Sequence, residues 1–238
     1  MRPILPQNLG SKTAAWLSKC WAHDCLLCSR VSEDELLCAA CAADLPRLPL
    51  ARCPLCALPT PFGEICAHCL RTPPHYERTL AAFRYDFPLD RLVQSFKYGH
   101  RLALAPYFGK TLAALAKPLD VDLIVPLPLH AQRLRERGFN QALELARPVR
   151  DALGLPLNST ICQRLRATPA QAALPWDERV KNVRGAFHCA GDLTDQRILL
   201  IDDVMTTGAS LNECARTLKQ HGAREVILLV VARVLAKD

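Results

Sequence analysis

Eight of the twelve cysteines in this 238-residue chain fall in one short stretch, paired as Cys25/Cys28, Cys38/Cys41, Cys53/Cys56 and Cys66/Cys69. Nine residues separate the first two pairs and nine the last two, so the spacing C-x2-C-x9-C-x2-C occurs twice. A C-x2-C turn presents two thiols to one point, and two such turns complete a tetrahedral four-thiolate shell for a zinc ion. A full shell leaves no open coordination position, which points to structure rather than catalysis. The stretch is too short and too aperiodic to build its own core, so bound metal would supply its stability. Disulfides and an iron–sulfur cluster are the competing uses of such spacing; a reducing compartment favours zinc. Two ions bound by sequential pairs are expected, with crossed pairing of the halves and His68 as a substitute ligand as alternatives. Cys20, Cys162, Cys189 and Cys214 are scattered and have no assigned task.

The second chemically informative stretch is Arg197–Ser210, RILLIDDVMTTGAS. An apolar strand runs into two acids, then a Thr-Thr-Gly turn, then a helical pattern. The strand would deliver the loop to the carboxyl edge of a parallel sheet, where α/β proteins bind ligands. Gly208 permits positive φ and close backbone approach. The N–H groups of residues 205–209 would then line an anion site, with Thr206, Thr207 and Ser210 adding hydroxyls. Asp202 and Asp203 repel phosphate, but they suit a sugar diol or Mg2+. A third stretch, Val125–Gln141 (VPLPLHAQRLRERGFNQ), places Arg133 and Arg137 four residues apart, on one helical face. It reads as a basic, donor-rich loop suited to pyrophosphate, or as a surface helix with solvated arginines.

Alternating strand and helix signals from Tyr76 onward would position these groups. Strands are expected at Thr79–Tyr85, Asp122–Pro126, Arg197–Ile201 and Glu225–Val234. Helices are expected at Leu89–Tyr98, Leu102–Lys117, Asn140–Leu153, Pro175–Val183 and Ala209–His221, with a short one at Ser11–Trp21. Continuous apolar strands alternating with helices predict a parallel sheet covered on both faces. The expected organisation is an extension over 1–23, a cysteine module over 24–72 and an α/β domain over 76–238.

Half the residues are apolar and 22% are charged, which excludes a disordered or fibrous chain. The N-terminal sequence lacks a signal-peptide h-region, and no apolar run is long enough to span a membrane. A cytoplasmic protein with no membrane contact is therefore expected. The net charge is +7, and residues 130–184 carry ten basic and five acidic side chains. That local excess fits either a solvated surface or a polyanion site.

The diacid-TTG loop resembles the 5-phosphoribosyl 1-pyrophosphate (PRPP) signature of type I phosphoribosyltransferases. The resemblance implies that Asp202 and Asp203 hold ribose hydroxyls while the following loop holds the 5′-phosphate. Thr206 stands where purine-salvage members carry an Asp, so a purine acceptor is not implied. Together with the CxxC pairs, RGFNQ at Arg137–Gln141 resembles the ComF family. So do Arg164, Arg166, Thr168 and Gln171, then Arg179 and Asn182, then Gly185-Ala186-Phe187. Lys97, in Phe96-Lys97-Tyr98-Gly99, resembles a family lysine, one residue closer to its glycine.

This resemblance implies a type I phosphoribosyltransferase fold, a parallel sheet flanked by helices, preceded by a double zinc ribbon. It implies Asp202, Asp203 and Arg137 as catalytic residues. Ligand-binding residues would be Asp202, Asp203, Val204, Met205, Thr206, Thr207, Gly208, Ala209, Ser210, Lys97, Arg133, Arg164 and Arg166. Arg164–Gln171 corresponds to a mobile loop that would close over pyrophosphate. Structural Zn2+, and Mg2+ with PRPP, are the implied cofactors. The implied function is a phosphoribosyltransferase-like protein of natural competence, with single-stranded DNA and competence proteins as further partners. The alternative is a non-catalytic PRPP sensor or a DNA- or protein-interaction protein on the same fold.

Overall fold

The computed structural model describes residues 23–32, 36–167 and 182–235. They fall into two compact units, one ending at Leu45 and one beginning at Pro46. The boundary falls between the two four-cysteine groups, so the second group belongs to the unit that contains the α/β sheet. Of the sequence expectations, Ser11–Trp21, Cys20, Thr168, Gln171, Arg179 and most of Pro175–Val183 lie outside the described residues.

In the first unit, β1 (His23–Asp24) and β2 (Val31–Ser32) pair antiparallel, and α1 (Ala39–Ala43) follows directly on Cys38. Cys25, Leu37 and Leu45 are its buried apolar residues.

The second unit opens with the other cysteine group, which ends in α2 (Ala67–Arg71). Four parallel strands follow: β3 (Arg78–Arg84), β4 (Leu123–Pro126), β7 (Arg197–Met205) and β8 (Glu225–Arg233), in the order β3-β8-β7-β4. The central strands β7 and β8 are rich in Ile, Leu and Val, and all of β8 after Glu225 is buried. Such two-sided burial needs helices on both faces. These are α3 (Leu89–Tyr98), α4 (Leu104–Ala116), α6 (Gln141–Leu153) and α7 (Ala209–Gln220). Pro126 closes the edge strand β4, a position where a missing N–H removes no ladder bond.

Between β4 and β7 lie α5 (Ala131–Arg137), α6 and an antiparallel pair, β5 (Cys162–Arg164) with β6 (Phe187–Cys189). Three scattered cysteines meet here. Cys162 faces Cys189 across the pair, and its Sγ lies 3.7 Å from Sγ of Cys214 in α7. All three thiols are buried.

The strand expected to stop at Ile201 runs on to Met205, taking both acids into the sheet. The β8 backbone explains this: Asp202 pairs with Val230, Val204 with Ala232 and Met205 with Arg233. Ladder bonds that continue past the last apolar side chain override the polar sequence.

Helices α4 and α6 pack through an unusual pair. Pro148 lies inside α6, and a Cβ built on Gly109 of α4 would fall 2.3 Å from Pro148 Cγ. Gly109→Ala should therefore destabilise the protein by about 1–3 kcal/mol through overpacking, despite alanine's better helix propensity. A thermal midpoint equal to or above wild type would contradict this packing.

Candidate phosphoribosyl site and metal centres

Each cysteine group repeats the other at an offset of 28 residues. Ser29 N–H donates to Cys25 O, and Ala57 N–H to Cys53 O, both at 2.9 Å. Cys25 N–H donates to Arg30 O, and Cys53 N–H to Leu58 O, both at 2.8 Å. Ser29 and Ala57 both take positive φ, and Cys38 and Cys66 both cap short helices. The thiols gather sequentially, as Cys25, Cys28, Cys38 and Cys41 and as Cys53, Cys56, Cys66 and Cys69. Within each group every Sγ lies within 4.8 Å of the others.

Burial opposes ionisation of Cys25 and Cys53, but surrounding backbone N–H groups outweigh it and hold these thiols at about 6 and about 7. Hydrogen bonding to Cys28, with burial, pushes Cys41 up to about 12. One thiolate in each group thus forms readily, and a soft dication is what the remaining thiols need in order to ionise together. The donor set fits tetrahedral zinc. Metal analysis should give two zinc ions per chain; a folded, zinc-free protein would refute the assignment.

The candidate anion site is built on the carboxyl end of β7. Asp203 is buried, and Lys97 Nζ, from the last turn of α3, lies 3.0 Å from its Oδ1. Burial works against the Lys97 charge, but Asp203 and Asp202 outweigh it and raise its pKa. Asp202 is half-buried and accepts the Asp203 N–H at 2.8 Å. Burial, reinforced by repulsion from Asp203, pushes its carboxyl up to about 7.

Beyond the acids, Gly208 takes φ +81° and caps α7. A Cβ there would meet Met205 Cε at 2.7 Å. Thr207 Oγ1 accepts the Ala209 N–H at 3.3 Å. The loop carbonyls point the other way: Arg233 donates to Met205 O at 3.0 Å and to Thr206 O. A trans peptide directs its C=O and N–H oppositely. The Thr206 and Thr207 N–H groups therefore face away from Arg233. With Gly208 N–H, they donate to no backbone carbonyl among the described residues. Unpartnered N–H groups at a helix start form an anion cradle.

The predicted basic residues divide. Arg164, in β5, feels Asp202 and Arg133, and its guanidinium lies over the Phe187 ring. Arg137 stacks over Tyr98, 5.2 Å from the ring centroid, and donates to Gln141 Oε1 at 3.0 Å. It also lies near enough to Lys97 to oppose that lysine's charge. Arg133 makes a solvated pair with Glu136 at 3.2 Å, which contributes little stability. Arg166 donates to the Arg184 carbonyl at 3.1 Å and is exposed. Lys97, Asp202, Asp203, Arg133, Arg137 and Arg164 thus share one electrostatic neighbourhood, while Arg166 ties together the chain around it.

The RGFNQ run is an elbow between α5 and α6. Gly138 ends α5 in the left-handed region, and Phe139 packs on Phe96. Asn140 caps α6 and donates to Leu127 O at 3.1 Å. Two contributors were not legible from sequence. Arg233 sits in an apolar run with no motif around it, and Tyr98 has the appearance of an ordinary helix-end residue.

A diacid and anion loop at the edge of a parallel sheet, in a chain with two four-cysteine groups, define a phosphoribosyltransferase-like protein with a double zinc ribbon. Residues 141–238 match the phosphoribosyl transferase domain family, and residues 17–70 the double zinc ribbon domain family. DNA utilization protein YhgH of Salmonella typhi is 32% identical over 208 residues, covering 84% of this chain and 91% of that protein. Competence protein F of Haemophilus influenzae is 29% identical, covering 83% and 90%. Competence protein ComFC of Bacillus subtilis is 26% identical, covering 81% of each. The chain belongs to the ComF family. Among the described residues no helix is long and apolar enough to cross a membrane.

The raised Asp202 pKa has a sign that can be tested. A carboxyl at about 7 when folded, against an ordinary 3.8, binds its proton more tightly in the folded state. Its ionisation therefore costs stability fully above pH 7, and the cost disappears below about pH 4. Asp202→Asn should raise the thermal midpoint at pH 8 by roughly 2–4 °C, about 1 kcal/mol. That gain should vanish as the pH falls to 4. A destabilised variant at pH 8 would contradict the assignment.

Proposed function

We propose that this protein binds PRPP, or a closely related phosphoribosyl ligand, together with Mg2+. The observation that carries the reading is the pairing of a buried Asp203–Lys97 contact with the adjacent Thr206–Gly208 cradle. The cradle would take the 5′-phosphate on backbone N–H groups. Asp202, half-buried beside Asp203, would take the ribose diol or Mg2+, an ion that accepts one or two carboxylates together with ligand phosphates. Bound there, Mg2+ would offset charge on the pyrophosphate. Arg133, Arg137 and Arg164 lie where they would add cationic donors, so displacement at ribose C1 with pyrophosphate leaving is the chemistry the site suits. Arg166 would add a further cationic donor for the pyrophosphate.

The names of the relatives support a role in DNA use and competence, which would be exercised in the cytoplasm. The ten basic residues over 130–184 favour a second, compatible reading: a surface for single-stranded DNA. Competence proteins would be further partners.

Calorimetry with PRPP and Mg2+ should register binding by wild type and a loss of at least tenfold in affinity for Asp202→Ala/Asp203→Ala. No heat from wild-type protein at several temperatures would overturn the ligand assignment. Fluorescence anisotropy with a single-stranded oligonucleotide should show affinity falling steeply with salt. Absent or salt-independent binding would reject the DNA surface.

A further inference from the structure

Arg233 is the last residue of β8, is 2% exposed and is the largest fully buried side chain among the described residues. A guanidinium so enclosed requires both hydrogen-bond acceptors and negative charge. Four of its acceptors are backbone carbonyls. Nε donates to Cys56 O at 2.8 Å. One terminal nitrogen serves Met205 O at 3.0 Å, Val234 O at 2.7 Å and Thr206 O. Among the described residues no carboxylate pairs with it. Burial works against its charge and outweighs the neighbours that favour it, Cys56, Tyr76 and Cys69, two of them members of the second four-cysteine set.

The surroundings tie the same two places together. Cys53, Cys56, Cys69, Tyr76 and Met205 belong to one buried cluster. Thr79 N–H donates to Pro54 O at 3.1 Å, and Thr79 Oγ1 approaches Met205 Sδ at 3.9 Å. Tyr76 Oη lies 3.7 Å from where a Cβ on Gly208 would sit. Cys66, the remaining ligand, packs against this cluster.

We infer that Arg233 is a positioning residue that couples the second four-cysteine metal site to the anion-binding loop. Four thiolates and one zinc ion carry a net charge of −2, which supplies the counter-charge a buried arginine requires. With its charge balanced on that side, Arg233 holds the Met205 and Thr206 carbonyls. In doing so it orients the Thr206 and Thr207 N–H groups towards the ligand side. Loss of metal from Cys53, Cys56, Cys66 and Cys69 withdraws that counter-charge and loosens the cradle. The first four-cysteine group makes none of these bonds. The inference builds on the proposed phosphoribosyl reading but has a readout independent of any ligand.

The test is backbone hydrogen exchange over residues 202–212 in the full chain, together with zinc content and calorimetry with PRPP and Mg2+. Arg233→Lys keeps the charge but loses the planar fork. It should retain two zinc ions, exchange faster across the loop and bind PRPP at least tenfold more weakly. Cys66→Ser should lose one zinc ion with the same loop effects. Cys38→Ser should lose one zinc ion and leave the loop unchanged.

Unchanged loop exchange in a zinc-replete Arg233→Lys protein would overturn the coupling. Equal loop effects of Cys38→Ser and Cys66→Ser would also overturn it. If Cys66→Ser does not fold, the Arg233→Lys protein decides. If loop exchange responds as expected but wild type gives no heat with PRPP, the coupling stands and the ligand assignment falls.

Discussion

The parallel ladder between β7 and β8 is the constraint on which the rest of this structure depends. It runs from Arg197 opposite Glu225 to Asp202 opposite Val230, and on to Val204 and Met205 opposite Ala232 and Arg233. Because Asp202 is paired and the pairing resumes at Val204, both carboxylates stand on a strand rather than a loop. The same register delivers Arg233 to the level of Met205, where its fork reaches the carbonyls of the turn. The acids, the cradle and the clamp beneath it are three products of one alignment.

The site is electrostatically tense. Two adjacent carboxylates, one buried and one half-buried, are set against one lysine, and the guanidiniums of Arg133, Arg137 and Arg164 crowd the same region. In an isolated protein such crowding opposes stability. The proposed ligand, rich in hydroxyls and phosphates, would resolve it, with hydroxyls or a dication for the carboxylates and phosphates for the N–H groups and arginines. Strain of this kind is common where a site is shaped for an absent partner, because stability and function make different demands on the same residues.

Much of this was legible in the sequence because it followed from local rules. Leu89–Tyr98 shows a helical period bounded by Pro88 and Gly99, and the helix has those limits. The doubled cysteine spacing foretold two sequential four-thiol groups. What escaped depended on distant partners. The end of β7 was set by β8, not by the polarity of Asp202. In RGFNQ, Gly138 and Asn140 end one helix and open the next as their types suggest, but the partners of Asn140 and Phe139, Leu127 and Phe96, come from elsewhere in the chain. Arg233 could not be singled out, because its importance lies in carbonyls 28 and 177 residues away.

That separation bears on how the chain is made. The first cysteine turn closes on bonds between residues 25 and 44, so it can form as soon as it leaves the ribosome. The second has the same local bonds, but the carbonyl of Cys56 waits for an arginine synthesised 177 positions later. Two near-identical turns are thus finished at opposite ends of translation: one as an early local event, the other as the closing step of the whole α/β core.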